Sequence, residues 1–193
     1  MSNKMRKAAF TLNKDIANPY DLYNHLPYRV AVASNLLAID RDAAIKQLTE
    51  LETREIRVLL NIGSYGPINA ADIAYQSRLD PYSVNRAINC LLKLNYIAEV
   101  KRVTNQKVKR VALTEVGVSV YQKITEHLEQ RTQRLTENLT TKEQTTLLAL
   151  LEKLELQAEQ VLAETASVIE AQGEPITRDQ KEVIRWYKRT SSQ

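Results

Sequence analysis

The segment from Asn69 to Gly117 constrains the fold of this chain more than any other part of the sequence. Two short helical patterns flank a tight turn, and they cover residues 69–79 and 80–94. A basic pattern rich in β-branched residues follows over 97–113, and Leu113-Thr114-Glu115-Val116-Gly117 then opens another helix. Two short helices, a charged hairpin and a further helix predict one small mixed module within an otherwise helical chain.

Local signals define the ends of the two short helices. Asn69 is a favourable N-cap for the first helix, and Asp72 lies near its positive end. Asp80 caps the second helix, Pro81 occupies its first position, and Asn95 is a suitable left-handed terminator. This order predicts a winged helix-turn-helix, a shape that fits the major groove of DNA.

The second helix of the motif has two different faces. Val84, Ile88, Leu91 and Leu92 form an apolar stripe, and the opposite face is polar. Two strands are expected over Ile97–Val103 and Val108–Leu113, where basic residues suit phosphate contacts but also protect an exposed sheet edge. The residues predicted to contact DNA are Tyr82, Ser83, Asn85, Arg86, Asn89, Lys101, Arg102, Lys107 and Lys109.

Arg86 is the main candidate for reading a base, because a guanidinium at this place in the helix can bind guanine with two hydrogen bonds. A salt bridge to a nearby acid is the alternative. Cys90 lies on the same helix, where a small core side chain is the ordinary interpretation and a reactive sensor thiol is the other.

Charge is unevenly distributed along the chain. Residues 69–113 contain eight Lys and Arg against three acids, which gives +5, whereas residues 114–164 contain five against nine Glu, which gives −4. A basic module followed by acidic helices is expected of a nucleic-acid-binding protein, and a surface segment that is basic by chance is the alternative.

Helical periodicity extends on both sides of the module. Helices are expected over 27–47, 53–62, 115–138, 141–164 and 177–189. The leucine-rich helix over 141–164 carries more apolar residues than a solvent-facing helix needs, which favours a dimer seam over packing on its own chain.

The expected fold is mainly α with a small β hairpin, a winged helix-turn-helix module embedded in a helical dimerisation domain. The predicted divisions are a flexible arm (1–25), N-terminal dimerisation and support helices (26–62), the DNA-binding module (63–113), C-terminal dimerisation helices (114–164) and a basic extension (165–193).

The sequence lacks the usual signals of membrane proteins, secreted proteins, metal-binding proteins and enzymes. The longest apolar runs are far shorter than the roughly 20 residues of a membrane span, and the basic start lacks the apolar stretch of a signal peptide. One cysteine excludes an intramolecular disulfide and fits a reducing cytoplasm. His25, His127 and that cysteine have no metal-ligand spacing, so no metal or cofactor is expected. Paired carboxylates, a Cys–His arrangement and a phosphate-binding glycine loop are also missing, which argues against an enzyme.

At this point the chain resembles the MarR family of bacterial transcriptional regulators over about residues 26–163. Val84-Asn85-Arg86 with the Leu91/Leu92 positions, and Leu113-Thr114-Glu115-Val116-Gly117 after the hairpin, carry the resemblance. It implies a homodimer whose first and last two helices interlock and whose two winged modules enter successive major grooves of a pseudo-palindromic site. Asn105-Gln106-Lys107 stands where the family usually has Asp-x-Arg, so Lys107 supplies charge there without the planar fork of arginine.

The resemblance also implies a small-molecule effector. Members of the family bind small aromatic acids between the dimer helices and the winged module. Tyr23, His25, Tyr28 and Arg29 cluster at the start of the first long helix and could hold a carboxylate there; ordinary interface packing is the alternative.

The sequence as a whole predicts a regulator that binds double-stranded DNA, with repression as the default and activation open. The alternative is a winged-helix module that binds proteins without reading DNA. Salt dependence separates the two, because only a protein that contacts several phosphates loses affinity steeply as salt rises.

Overall fold

The chain is mainly helical with one small antiparallel hairpin, which confirms the expected fold class. The computed structural model describes residues 10–38, 41–100 and 108–192. These residues divide into two compact units, with the boundary between Glu50 and Leu51. In chain order, the elements are α1 (Leu26–Ala38), α2 (Arg41–Thr49), α3 (Thr53–Tyr65), α4 (Ala70–Ser77), α5 (Pro81–Lys93), β1 (Ile97–Glu99), β2 (Val111–Leu113), α6 (Glu115–Thr136), α7 (Thr141–Ala171) and α8 (Arg178–Thr190).

The first unit contains α1 and α2, in the region where one helix is expected over 27–47. Helix α2 ends two residues later than expected, and residues 39 and 40 lie outside the described residues. Helix α2 buries Ile45, whose carbonyl accepts a hydrogen bond from the Thr49 hydroxyl at 2.7 Å. Helix α1 has Leu26, Leu36 and Leu37 among its exposed residues, which gives it an exposed apolar surface.

The second unit has its core where α3, α4 and α5 meet. Helix α3 contributes aliphatic side chains from the face that period 3.6 predicts. The fully or almost fully buried residues of this core include Ile56, Leu59, Ile62, Ile73, Val84, Ala87, Leu91, Ile97 and Ile124. Burial of these side chains is the main force that holds the helix-turn-helix to its support helix.

The helix caps predicted from the sequence are present. The side chain of Asn69 accepts a hydrogen bond from the Asp72 amide at 2.9 Å, and Thr114 accepts one from the Gly117 amide at 3.0 Å. Thr140 and Glu143 form the expected reciprocal capping box at the start of α7. Each cap satisfies amide groups that the first turn of a helix leaves without a backbone partner.

The hairpin is shorter than the sequence pattern indicates. Ile97 pairs with Leu113 and Glu99 with Val111, but residues 108–110 are not in a strand, so the expected start of the second strand at Val108 is wrong. Val108, Lys109 and Arg110 are exposed and lack a packed face to favour a longer strand. Residues 101–107, which include the hairpin tip, lie outside the described residues.

The base of the hairpin is tied to the helix-turn-helix by a third segment. Ile68 and Val111 exchange both backbone hydrogen bonds, at 3.1 and 2.9 Å, in an isolated antiparallel bridge just before α4. Backbone hydrogen bonds therefore join the hairpin of β1 and β2, which is the wing, to the segment that leads into the helix-turn-helix.

The last two helices both end later than the sequence predicts, α7 at Ala171 and α8 at Thr190. Helix α7 continues seven residues beyond the expected end at Glu164. Ala166 is completely buried there, and its packing stabilises the added turns. Gly173, with a φ of 81°, then ends the helical path, and α8 packs back on α7. Within the described ranges, every helix is either too short or too polar to cross a lipid bilayer.

Candidate nucleic-acid interface

Helix α5 is the second helix of the helix-turn-helix, and its sequence fixes which face it buries. It begins after Asp80, whose carboxylate accepts a hydrogen bond from the Ser83 amide at 2.9 Å, with Pro81 at its first position. Val84, Ala87 and Leu91 are completely buried, so the face opposite to them is directed away from the core. This places the polar residues of the helix on one accessible surface, as the sequence pattern predicts.

The accessible face of α5 presents a phenol, two amides and a guanidinium. Tyr82 is 57% exposed, and Asn85, Arg86 and Asn89 are also exposed, whereas Ser83 is half-buried. The Arg86 guanidinium lies 5.7 Å from the centre of the Tyr82 ring, within the range of a cation–π contact. The structure thus brings four of the five predicted α5 residues together on an open surface.

Arg86 retains its hydrogen-bonding capacity on this surface. Among residues 10–38, 41–100 and 108–192, no carboxylate forms an ion pair with it, so the alternative of a local salt bridge gains no support there. Asn85 donates one hydrogen bond from its amide to the Pro81 carbonyl at 2.8 Å, which directs the side chain along the helix. A guanidinium held by an aromatic ring but by no acid can donate to an incoming acceptor.

The start of α5 carries a fixed negative charge. Hydrogen bonds from the side chain and the backbone of Ser83 hold the pKa of Asp80 below its ordinary value, and the positive charge of Arg178 contributes to the same direction. An ionised carboxylate at a helix N-terminus also interacts favourably with the helix dipole. Asp80 therefore positions α5 and is not itself a group that would face a phosphate.

The wing contributes only in part to the described surface. Lys109 is exposed and forms an ion pair at 2.8 Å with Glu99 on the facing strand. Lys101, Arg102 and Lys107, which are also predicted to contact DNA, lie outside the described residues. Since Lys109 already has a carboxylate partner, a phosphate would have to compete with Glu99 for its ammonium group.

Sequence reasoning missed Arg78, which ends α4 in the left-handed conformation at a φ of 51°. Its guanidinium contacts the Tyr75 ring at 4.4 Å and the Trp186 ring at 5.6 Å, and it donates to the Tyr75 carbonyl. It also pairs with the buried carboxylate of Glu159 on α7 at 2.5 Å. Nothing local in the sequence indicates this role, because the carboxylate lies 81 residues away.

Close contacts with the end of the motif explain why Thr114 and Gly117 occupy their positions in the Leu113–Gly117 segment. The Tyr96 carbonyl accepts a hydrogen bond from the Thr114 amide at 3.0 Å, and the Thr114 hydroxyl donates to the Asn95 carbonyl at 2.7 Å. A Cβ atom at position 117 would overlap the Tyr96 carbonyl. Glycine at this position lets the first turn of α6 lie directly against the end of the motif and so aligns the wing with α5.

The residues predicted to bind an effector contact one another locally. Arg29 stacks on the Tyr23 ring at 4.5 Å and donates to the Tyr23 carbonyl at 3.5 Å, while Nδ1 of His25 accepts from the Tyr28 amide at 3.3 Å. Tyr20 meets His25 edge to face at 5.0 Å. This packing accounts for the aromatic residues without a ligand, and the side chains of Tyr28 and Arg29 remain half-buried at its surface.

The Cys90 thiol and a metal site are the remaining possibilities that the sequence analysis considered. Cys90 is a half-buried free thiol on α5. In the described part of the chain, no group of three or more His, Cys, Asp and Glu side chains is placed to hold a metal ion.

Comparison with known proteins finds the same architecture in solved structures. No protein-family model matches the sequence, and no curated protein matches it significantly. A MarR/EmrR family transcriptional regulator from Acinetobacter sp. ADP1 is 22% identical, with a TM-score of 0.67 over 73% of this chain and 99% of that one. The S. aureus MepR–DNA complex is 18% identical, with a TM-score of 0.58 over 67% and 94% of the two chains.

A third solved structure was determined with a small molecule bound. The PcaV transcriptional regulator from Streptomyces coelicolor, in complex with its natural ligand, is 13% identical, with a TM-score of 0.59 over 72% of this chain and 96% of that one. The three neighbours are described as transcriptional regulators or as a DNA complex, and none is described as an enzyme. The chain therefore has the winged helix-turn-helix fold of the MarR-family transcriptional regulators.

Proposed function

We propose that this protein is a sequence-specific DNA-binding transcriptional regulator that binds a pseudo-palindromic operator as a homodimer. The observation that carries the proposal is the open face of α5, where Tyr82, Asn85, Arg86 and Asn89 are exposed on a helix whose other face is buried. Amide and guanidinium groups at these positions have the chemistry that distinguishes adenine and guanine in the major groove. The likeness to a solved DNA complex supports the same function.

The contacts divide into two kinds. Arg86, Asn85 and Asn89 are proposed to reach base edges, while Tyr82, Ser83 and the wing residues Lys101, Arg102, Lys107 and Lys109 are proposed to contact the DNA backbone. Phosphate contacts set affinity and register, and base contacts set sequence preference. The basic charge of residues 69–113 suits this division, because a net positive module attracts DNA at long range.

The dimer part of the proposal is supported by apolar surface on the outer helices. Within the described part of the chain, large aliphatic side chains along α7 are exposed, and a second copy of the chain is the occupant we propose for them. Exposed aliphatic residues grouped on one helix favour an interaction surface. We infer that segments 26–62 and 114–164 supply the dimer interface and that segment 63–113 binds DNA. The exposed residues on α7 include Leu147, Leu148, Leu150, Leu156, Val161, Leu162 and Val168.

The proposed mechanism of regulation is thermodynamic linkage. The two α5 helices of a dimer must be about one DNA turn apart, roughly 34 Å, to enter both half-sites. An effector that binds more tightly to a dimer with another spacing lowers DNA affinity by its differential affinity for the two states. Repression follows if the bound operator overlaps a promoter.

The proposed effector is a small aromatic or acidic molecule near Tyr23, His25, Tyr28 and Arg29. The Arg29 guanidinium donates one hydrogen bond to the Tyr23 carbonyl at 3.5 Å, and its other N–H groups can donate to a carboxylate. The ligand complex of a structural neighbour supports the existence of an effector in this fold. No chemical step is required of the protein in this proposal, which makes it a binding protein and not an enzyme.

Fluorescence-anisotropy titration against the DNA upstream of its own gene tests the function. The purified protein is titrated at about 50 and 200 mM salt with a scrambled duplex as control, and a DNA binder with several phosphate contacts loses affinity steeply between them. Tight, salt-sensitive binding with preference for the native duplex supports the proposal. If both duplexes, and a wider library of genomic duplexes, are bound weakly and equally, sequence-specific regulation is refuted and a protein-binding module becomes the better interpretation.

A further inference from the structure

Helix α8 carries a stripe of basic side chains that the DNA-binding surface of α5 does not include. Four cations recur at i, i+3, i+7 and i+10, a spacing that places them along one face of an α-helix. All four are exposed. The basic stripe consists of Arg178, Lys181, Arg185 and Lys188. Two acids lie among them, exposed Asp179 and buried Glu182, and Glu182 pairs with Arg185 at 2.7 Å.

The side of α8 next to the basic stripe is attached to the helix-turn-helix. Arg189 pairs with Asp72 at the start of α4 at 2.8 Å, and Thr190 shares a hydrogen bond of 2.8 Å with the Tyr75 hydroxyl. Arg189 also lies 4.2 Å from the centre of the Tyr75 ring. Because these contacts join α8 to the same short helix, the basic stripe has a defined position beside α4.

The opposite end of α8 lies near the start of α5. Trp186, one turn before Thr190, lies beside Arg78 at the end of α4, so α8 runs antiparallel to α4 and its N-terminal end is directed toward the turn of the motif. Arg178 at the first position of α8 acts electrostatically on Asp80, the cap of α5, although Ser83 is the larger influence on that carboxylate. A cation at a helix N-terminus is unfavourable for the helix itself, so helix stability does not explain Arg178.

We propose that the basic stripe of α8 is a second DNA-binding surface, which contacts the phosphate backbone beside the groove that α5 enters. This inference rests on the proposed function. In helix-turn-helix complexes the first helix crosses the DNA backbone while the second lies in the groove, so a helix fixed alongside α4 is close to phosphates. Exposed Lys and Arg without neighbouring amide or aromatic groups on the same face suit phosphates and carry no sequence preference.

The test is the salt dependence of binding to a duplex of random sequence about three helical turns long. The variant Lys181→Gln/Arg185→Gln/Lys188→Gln removes three charges, and Lys181→Gln/Lys188→Gln removes two while keeping the Glu182–Arg185 pair intact. The control is Lys123→Gln/Lys142→Gln, which removes two exposed charges from α6 and α7. Circular dichroism of each variant measures whether helix content is preserved.

The wild-type protein and the control are expected to have equal slopes of log K against log salt. Each lost phosphate contact makes the slope shallower by about 0.9, so the double variant is expected to change it by up to about 1.8 per protomer. A wild-type slope in both variants overturns the second surface but leaves the proposed function intact. Failure of the wild-type protein to bind any duplex refutes both. A loss of affinity equal for the control and the variants also overturns the inference, because it would reflect net charge alone.

Discussion

Arg78 and Glu159 form an ion pair at 2.5 Å between the turn of the helix-turn-helix and the middle of α7. The Glu159 side chain is 6% exposed, and its other oxygen accepts a hydrogen bond from the Thr190 hydroxyl at 2.9 Å. One buried carboxylate thus joins the helix-turn-helix, the long helix α7 and the C-terminal helix α8. A buried charge of this kind depends on its partners, because a carboxylate without them pays the full cost of desolvation.

Replacing Arg78 with alanine is therefore expected to destabilise the protein. Thr190 would remain as a donor to Glu159, and Arg78 is itself 41% exposed, so we expect a loss of about 1–3 kcal/mol in the free energy of unfolding. Urea denaturation monitored by circular dichroism measures it. Lys109→Ala is the matched control, since Lys109 and Glu99 are 69% and 50% exposed and such pairs contribute about 0–1 kcal/mol. Equal effects of the two changes would contradict a structural role for Arg78.

Gly117→Ala is expected to destabilise the junction between the hairpin and α6. The added methyl group would overlap the Tyr96 carbonyl, which is backbone and cannot rotate away. We expect a loss of about 1–3 kcal/mol from overpacking, despite the roughly 1 kcal/mol by which alanine favours a helix over glycine. Ser119→Ala, at an exposed position two residues later, is the control in the same denaturation assay. A Gly117→Ala protein as stable as wild type would refute the close approach.

The charge of Asp80 is expected to stabilise the protein only above acid pH. Hydrogen bonds from Ser83 lower the pKa of Asp80 in the folded state, so its contribution is present above the unfolded pKa of about 3.9 and is lost as pH falls through the lower folded value. Asp80→Asn keeps a good N-cap but removes the charge. The difference in unfolding free energy between wild type and this variant should be largest near neutral pH and shrink toward pH 3. A difference that is constant over this range would contradict the assignment.

Some of these contacts can be predicted from the sequence, and others cannot. The caps at Asn69, Asp80 and Thr114 are predictable because each depends on residues at most three positions away. The buried face of α5 is predictable from period 3.6 for the same reason. The Arg78–Glu159 pair is not predictable, because α7 must first be folded against α4 before two residues 81 positions apart become neighbours.

The candidate nucleic-acid interface shows the same difference between local patterns and long-range contacts. Local periodicity places Arg86 on the open face of α5, and the structure agrees with that placement. Local periodicity does not reveal that α8 returns to α4 through the Arg189–Asp72 pair, since the pattern over 177–189 predicts a helix but not the surface on which it packs.

Arg86 is expected to determine sequence preference. Arg86→Ala should remove about 1–3 kcal/mol of discrimination between an operator and a scrambled duplex, because a bidentate contact to guanine is lost. Arg86→Lys keeps the charge but not the planar fork, so it should also lose preference while keeping most of the non-specific affinity. Anisotropy competition measures both quantities. If Arg86→Lys retains full sequence preference, Arg86 contacts phosphate and another residue of α5 reads the base.

Removal of residues 173–193 is expected to leave a dimer with reduced stability. The exposed aliphatic residues that we assign to the dimer interface lie on α7 before this point, while the truncation deletes Thr190, a hydrogen-bond donor to Glu159. Thermal unfolding should occur about 2–4 °C lower for each kcal/mol lost. Sedimentation equilibrium measures the oligomeric state, with full-length Leu148→Asp as the comparison, since a charge at this 68% exposed leucine should dissociate the dimer. A monomeric truncated protein together with a dimeric Leu148→Asp variant would assign the interface to the C-terminal extension, and the leucine-rich surface of α7 would then need another partner.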